Sequence, residues 1–212
     1  MQSLKDLERD VLNFAVTARA PGLALLSPKQ FYGYEVNVFA FELASVVVWI
    51  GYLQWSRANG DPINQTPILE RLNTIQRRDA LLNEDGTEAQ WVEADYIVGN
   101  PPFLGYQKWK RSLGESYIKI LRSIYKSRLS AKADLVCYWF DKARKLVEEG
   151  KASRVGLIAT QSIRKGKSRS VLDQINRDGS IFNAWSNKQW VLDGANTNVS
   201  IVCFDNGLET TR

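Results

Sequence analysis

Histidine is absent from all 212 residues. That excludes an imidazole general base, and with only two cysteines it leaves no set of side chains for a structural zinc site. Cys137 and Cys203 lie far apart, each in an apolar stretch. They are expected to be buried free thiols of a reducing compartment, which points to the cytoplasm. No cationic leader with a small-residue cleavage site is visible, and there is no internal repeat or low-complexity tract. Long apolar runs are scarce. The one from Val38 to Trp55 is interrupted by Glu42, Ser45 and Gln54, and Phe39, Leu43, Val46, Ile50 and Leu53 recur in it at helical spacing. This predicts a buried core helix rather than a membrane span, so no membrane association is expected.

What is present is ordinary for a globular chain. Apolar residues make up 44% of the sequence, enough for one sizeable core, and one domain over residues 1–212 is the default expectation. The net charge of +5 and the pI near 9.2 suit an anionic partner or a plain basic surface, and only clustering of the charge separates the two.

Four residues carry the chemistry: Asn100, Pro101, Pro102 and Phe103. They follow Asp95-Tyr96-Ile97-Val98-Gly99, which reads as a short buried strand. Two consecutive prolines end that strand, since proline fixes φ and cannot donate to a ladder. The result is a rigid turn at the carboxyl end of a strand, where open α/β sheets bind ligands. A planar exocyclic amine, as on adenine, is a poor nucleophile because its lone pair is delocalised into the ring. The side-chain oxygen of Asn100 can accept one amine hydrogen and the carbonyl of Pro101 the other. Held by stiff backbone, the two acceptors draw the nitrogen toward tetrahedral geometry and free its lone pair. The Phe103 ring can stack on the base. Such a site works by orientation and fixed dipoles and needs no strong base.

In chain order, Ser3 to Ala20 predicts a helix with Ser3 as its cap, broken at Pro21-Gly22. Phe31 to Val36 predicts a strand with Glu35 near its end, followed by the apolar helix. Asn59-Gly60-Asp61-Pro62 is a turn in a polar connection over 56–73. Asn73 to Leu81 predicts a strand with Asp79 near its end, and Asn83 to Glu88 a turn. Residues 107 to 132 hold eight lysines or arginines (108, 110, 111, 119, 122, 126, 128 and 132) against one acid, Glu115. Trp109, Tyr117 and Tyr125 are interleaved with them. This reads as an insertion, about 105–132, on the ligand side of the sheet. A solvated helix face is the plain alternative; its place just after the turn favours phosphate contact. A helix over Asp134–Glu149 closes at Gly150, and Arg154–Thr160 is a strand. Arg164, Lys165, Lys167 and Arg169 form a second basic cluster before a helix over Ser170–Arg177. Ile181–Trp190 and Asn198–Phe204 predict an antiparallel pair, with Leu192-Asp193-Gly194-Ala195 between them.

Alternating strands and helices predict an α/β, doubly wound sheet. Glu35, Asp79 and the Asn100–Phe103 turn fall at successive strand ends and are expected along one sheet edge. There, an acid can accept both hydroxyls of a ribose, and another can accept the amine of an adenine.

These stretches resemble the methyltransferase domain of DNA adenine-N6 methyltransferases with the class I, Rossmann-like S-adenosylmethionine-dependent fold, and in particular the MmeI-like group of fused restriction–methyltransferase enzymes. The resemblance runs from about residue 3 to the end. It rests on Phe31–Glu35, Arg78–Leu81, Ile97–Gly105, Ala133–Phe140, Thr160–Gly166 and the segments from Ala184-Trp185 through Trp190 to Val199–Val202. It implies a mostly parallel sheet with an antiparallel last strand. It implies that Glu35 holds the ribose of S-adenosylmethionine and Asp79 its adenine amine, with Ala80 or Leu81 packing nearby. Asn100 and Pro101, backed by Pro102, would hold the target amine, and Phe103 would stack on an adenine extruded from double-stranded DNA. Trp190, expected in the region between the last two strands, is the candidate second aromatic wall, with Trp185 the alternative. Lys108, Lys110, Arg111, Arg164, Lys165, Lys167 and Arg169 are the expected DNA contacts.

The sequence departs from the family pattern at its start. The family's first strand and its Asp-Pro-x-x-Gly-x-Gly-type loop have no counterpart here, and neither has its target-recognition region. A chain or upstream segment is expected to supply the missing strand and loop. The isolated chain is expected to bind donor weakly and to transfer methyl slowly or not at all. Two alternatives stand beside this reading. Asn-Pro-Pro-aromatic turns also serve methylation of RNA adenine and of protein glutamine amides, and a domain of this kind can persist as a DNA-binding or sheet-completing remnant. The two basic stretches favour a polyanion.

Overall fold

The computed structural model describes residues 1–18, 26–60, 71–192 and 195–208. The expected breaks at Pro21-Gly22, at Asp61-Pro62 and at Asp193-Gly194 lie outside the described residues. Where the sequence suggests one domain, the contacts divide the chain into two compact units, Met1–Ala80 and Leu81–Arg212.

The first unit opens on helix α1 (Gln2–Thr17), whose N-cap is Met1 rather than Ser3. Strand β1 (Gly33–Glu35) leads through helix α2 (Val38–Ala58) to strand β2 (Ile75–Arg77), and the two strands pair in parallel. Asn37 caps α2 by accepting the Ala40 amide hydrogen at 3.0 Å. Both strands are shorter than the apolar pattern suggests, because each forms only the three residues that find a partner. Helix α2 corrects the expectation of a core helix. Val38, Phe39, Leu43, Val46, Val47 and Ile50 are exposed, and only Ser45, Trp55 and Ser56 are buried. By length and composition α2 could cross a membrane. Helical spacing identified the helix but not whether anything covers it. Among the described residues the unit buries Leu72 beside Ser45, and Trp55 where α1 meets α2. At Trp55 the contact is polar as well as apolar. The Trp55 indole donates to Asp6 at 2.7 Å, with the Lys5 ammonium 4.8 Å from the ring centre.

The second unit is built on a four-stranded sheet in the order β3-β4-β6-β5. Strand β3 (Tyr96–Gly99) leads to short helix α3 (Trp109–Leu113), helix α4 (Glu115–Tyr125) and helix α5 (Val136–Glu148). Strand β4 (Arg154–Thr160), helix α6 (Arg169–Asp178) and the long hairpin of β5 (Ser180–Leu192) and β6 (Ala195–Asp205) follow. Strands β3 and β4 are parallel, and β6 runs antiparallel to both of its neighbours. The sheet is therefore mixed, with the last strand inserted between β4 and β5.

Alternation of buried Val155, Leu157 and Ala159 along β4 sets one face of this sheet on α5. Phe140 of α5 stacks on Phe204 of β6 with ring centres 6.2 Å apart, and Tyr138 packs against both Trp109 and Tyr125. Helix α6 can turn directly into β5 only through Gly179. A Cβ there would lie 2.2 Å from the Asp205 carbonyl oxygen.

Strand β3 was expected to be buried and is not. Tyr96 is 65% and Val98 83% exposed. Among the described residues it is an edge strand paired with β4, and it exposes the face of Tyr96 and Val98 while Ile97 on the other face packs against the core.

Candidate functional site

The reactive turn begins where β3 stops. Asn100 is exposed, Pro101 is buried, Pro102 is exposed and Phe103 is half-buried. The Leu104 amide donates to the Pro102 carbonyl at 3.1 Å and closes the turn. Among the described residues, neither the Asn100 side chain nor the Pro101 carbonyl takes part in a hydrogen bond, so both acceptors stay available. Because β3 and β4 are parallel, with Gly99 opposite Leu157, the turn and the end of β4 share one edge of the sheet.

A cavity of about 450 Å³ opens at that edge. Phe103, Tyr106 and Lys108 line it from the segment after the turn. Lys132 and Asp134 line it from the approach to α5, and Thr160 and Ser162 from the end of β4. The cavity thus joins an aromatic face, two cations, a carboxylate and two hydroxyls, and Phe103 connects it to the turn that carries Asn100. That combination suits a planar, amine-bearing ring attached to a phosphate.

The basic stretch resolves into two kinds of residue. Arg122 lies between the Tyr106 and Trp109 rings, 5.6 and 5.4 Å from their centres. Arg128 is largely buried, binding Glu88 at 2.7 Å and Asp141 at 3.2 Å. These two arginines hold the second unit together and are not offered to an anion. Lys110 pairs with Glu115 at the surface. Lys108, Arg111, Lys119, Lys126 and Lys132 are exposed.

In the second cluster Lys165 and Lys167 are exposed, Arg169 pairs with Asp173 at 3.2 Å, and Arg164 is half-buried. The Arg164 guanidinium donates to Gln161 and reaches the Asn187 side chain at 3.5 Å. Asn187 has φ +56° and sits in the register shift between Trp185 and Lys188, a bulge that kinks β5. Trp190, the last residue of the predicted strand Ile181–Trp190 and expected to border the loop, is inside β5 opposite Thr197, because the strand runs on to Leu192, and Trp185 is exposed on the same strand.

The donor-site candidates lie in the first unit. Glu35 ends β1 opposite Arg77, and Asp79 comes two residues after β2 ends, so the two carboxylates stand at the carboxyl ends of adjacent parallel strands. The Arg78 amide donates to the Glu35 carbonyl at 3.2 Å and carries the alignment past the last pair. One Glu35 carboxylate oxygen accepts the Asn37 amide at 2.6 Å. Ala80 ends the first unit, and Leu81 is fully buried in the core of the second. Glu35 and Asp79 thus share one hydrogen-bonded sheet, and Asn100 follows a strand of the other.

Sequence reasoning missed Asp134, Thr160, Ser162 and Tyr106. The sequence placed Asp134 at the start of a helix and Thr160 at the end of a strand, and counted both, with Ser162, among the stretches of family resemblance, but gave none of them a role in the site.

Known proteins resemble this chain over most of its length. The profile of the family described as MmeI, DNA-methyltransferase domain, matches residues 1–212. A protein of Bacillus subtilis (strain 168) named DNA methyltransferase A is 25% identical over 181 residues, covering 82% of this chain and 20% of that protein. A solved structure of the Type IIL restriction-modification enzyme MmeI in complex with DNA shares the fold, with a TM-score of 0.65 and 22% identity over 86% of this chain and 25% of that one. The chain therefore spans a fifth to a quarter of the length of these relatives.

Proposed function

The chain belongs to the MmeI DNA-methyltransferase domain family, and from that premise we propose that it transfers a methyl group from S-adenosylmethionine to the N6 amine of an adenine extruded from double-stranded DNA. It would do so as the modification part of a restriction–modification enzyme. The observation that carries this reading is the turn itself: Asn100 exposed at a strand end, two free acceptors on stiff backbone, and Phe103 on the wall of the cavity.

The residues fit the donor. Two carboxylates at the ends of adjacent parallel strands match the ribose hydroxyls and the adenine amine of a nucleoside, so Glu35 and Asp79 would hold it. When bound, S-adenosylmethionine supplies an electrophilic methyl on a sulfonium. The protein's own part is to orient the acceptor. The Asn100 side-chain oxygen and the Pro101 carbonyl take the two amine hydrogens, and the lone pair turns out of conjugation. Phe103 stacks on the base and offsets part of the few kcal/mol that leaving the duplex costs. Lys108 and Lys132 neutralise the flanking phosphates. The parallel pairs β1–β2 and β3–β4, each joined through helices, and the reversed β6 support a doubly wound, Rossmann-like methyltransferase sheet.

The test is single-turnover incubation of excess chain with labelled donor and unmethylated bacterial DNA. Label in N6-methyladenine supports the reading, and label in protein glutamine or RNA alone overturns it.

A further inference from the structure

Asp134 immediately precedes Leu135, the cap residue of α5, and its side chain turns away from the helix to two other segments. One carboxylate oxygen accepts the Tyr106 amide at 3.2 Å, and the other accepts the hydroxyl of Ser162. Ser162 lies two residues past the end of β4, and its hydroxyl is 2.6 Å from that of Thr160. The Asp134 amide donates to the buried Ser168 hydroxyl at 3.1 Å. One residue on, the Leu135 amide donates to the Leu104 carbonyl at 3.0 Å, which also accepts the Trp109 indole at 3.2 Å. Arg122, held between Tyr106 and Trp109, packs the same segment from α4.

A single carboxylate thus ties the chain leaving the reactive turn to the end of the neighbouring strand, across the wall of the cavity. Hydrogen bonds to an ionised acceptor are roughly twice as strong as neutral ones. Tyr106 opens one 3-10 turn (Tyr106–Lys108) and Ser162 lies in another (Gln161–Arg164), so the carboxylate links two short helical turns across the cavity wall. Phe103 is three residues from Tyr106, and its ring can keep one placement only if that segment does.

We propose that Asp134 is a positioning residue for methyl transfer, clamping Leu104–Tyr106 to Ser162 so that the Asn100–Phe103 turn is preorganised beside the cavity. The proposal rests on the reading of that turn as an amine-methylating site. Both carboxylate oxygens of Asp134 are engaged by Tyr106 and Ser162, so Asp134 acts through the turn, and its loss slows the transfer step more than it weakens binding of either substrate.

The experiment compares the full chain with D134A, D134N, S162A and N100A. It measures single-turnover methyl transfer, the affinities for donor and DNA, and amide hydrogen exchange over residues 103–108. D134A is expected to slow transfer about 100-fold, the size of effect that follows from ångström-scale misplacement of a reacting group. Exchange at Tyr106 accelerates, while donor and DNA affinities stay within about twofold, inside the scatter expected when no contact is lost. D134N can accept from the Tyr106 amide and donate to Ser162, so it restores most of the rate and the protection. S162A, which leaves the Tyr106 bond in place, shows the intermediate effect. The proposal is overturned if D134A keeps wild-type transfer, if it loses transfer only in step with substrate binding, or if its protection pattern collapses over the whole second unit. N100A separates the two levels. An N100A chain as active as wild type overturns the amine-methylation reading itself, whereas an inactive N100A beside a fully active D134A overturns only the role of Asp134.

Discussion

Arg128 donates to the Glu88 carboxylate at 2.7 Å, and through it a turn near the start of the second unit is locked to the two helices behind the reactive segment. Glu88 also accepts the Tyr125 hydroxyl at 2.9 Å and the Lys142 ammonium at 3.3 Å. Arg128 in turn binds Asp141, which binds Arg144, which reaches Asp178 at 2.7 Å. Burial pushes the Glu88 carboxyl up, but Lys142 and Arg128 outweigh it and hold it below its ordinary value of 4.5. A carboxylate depressed in the folded state contributes stability that is fully present above its unfolded pKa and is lost as pH falls through the folded one. Thermal unfolding of the wild type should therefore show its melting temperature falling as pH drops below about 4.5. E88Q should melt lower at neutral pH, with Lys142 and Arg128 left short of a counter-charge, and should lose part of that acid slope.

Donor binding and transfer should separate by residue. N100A is expected to slow transfer by a factor of about 100 to 1,000, the usual effect of removing one fixed polar group from a transition state. Calorimetry should show its donor affinity unchanged. D79A should weaken the donor by about 10- to 100-fold, the equivalent of one hydrogen bond to a charged group. Equal loss of both properties in both variants would mean that the substitutions disturb folding rather than these roles.

Binding to duplex DNA should weaken with salt. Substituting an exposed lysine that meets phosphate, such as Lys108 or Lys167, should flatten the plot of log K against log salt by about 0.9 each. Substitution of Arg122 or Arg128 should instead lower the melting temperature, because both are engaged inside the second unit.

Thiol labelling should report the fold. Burial pushes the Cys137 thiol up to about 12, leaving almost no thiolate at neutral pH. Cys137 should react with a disulfide reagent only as fast as the second unit opens, and wild-type labelling in denaturant should reach both cysteines.

The chemistry was legible in the sequence because it is local. Asn100 to Phe103 follow a strand whose bounds, Tyr96–Gly99, the structure reproduces, and proline fixes the turn without help from elsewhere. Burial was not legible for the same strand or for α2. Apolar spacing says which residues share a face but not whether that face is covered: Tyr96 and Val98 are exposed while Ile97, on the opposite face, packs against the core. Charge was legible as composition and not as pairing: nothing in the run 107–132 distinguishes Arg128, bound to Asp141 of another helix, from Lys132 at the cavity. Asp134 was invisible for a related reason. Its two partners are 28 residues away in opposite directions along the chain, and only the β3–β4 pairing brings them to one place.

The most direct test of the account is mass spectrometry of nucleosides from unmethylated DNA after one turnover with excess chain and labelled S-adenosylmethionine. The account predicts label in N6-methyladenine, present with wild type and absent with N100A. Label in a cytosine, label that persists in N100A, or no labelled nucleoside at all would contradict it.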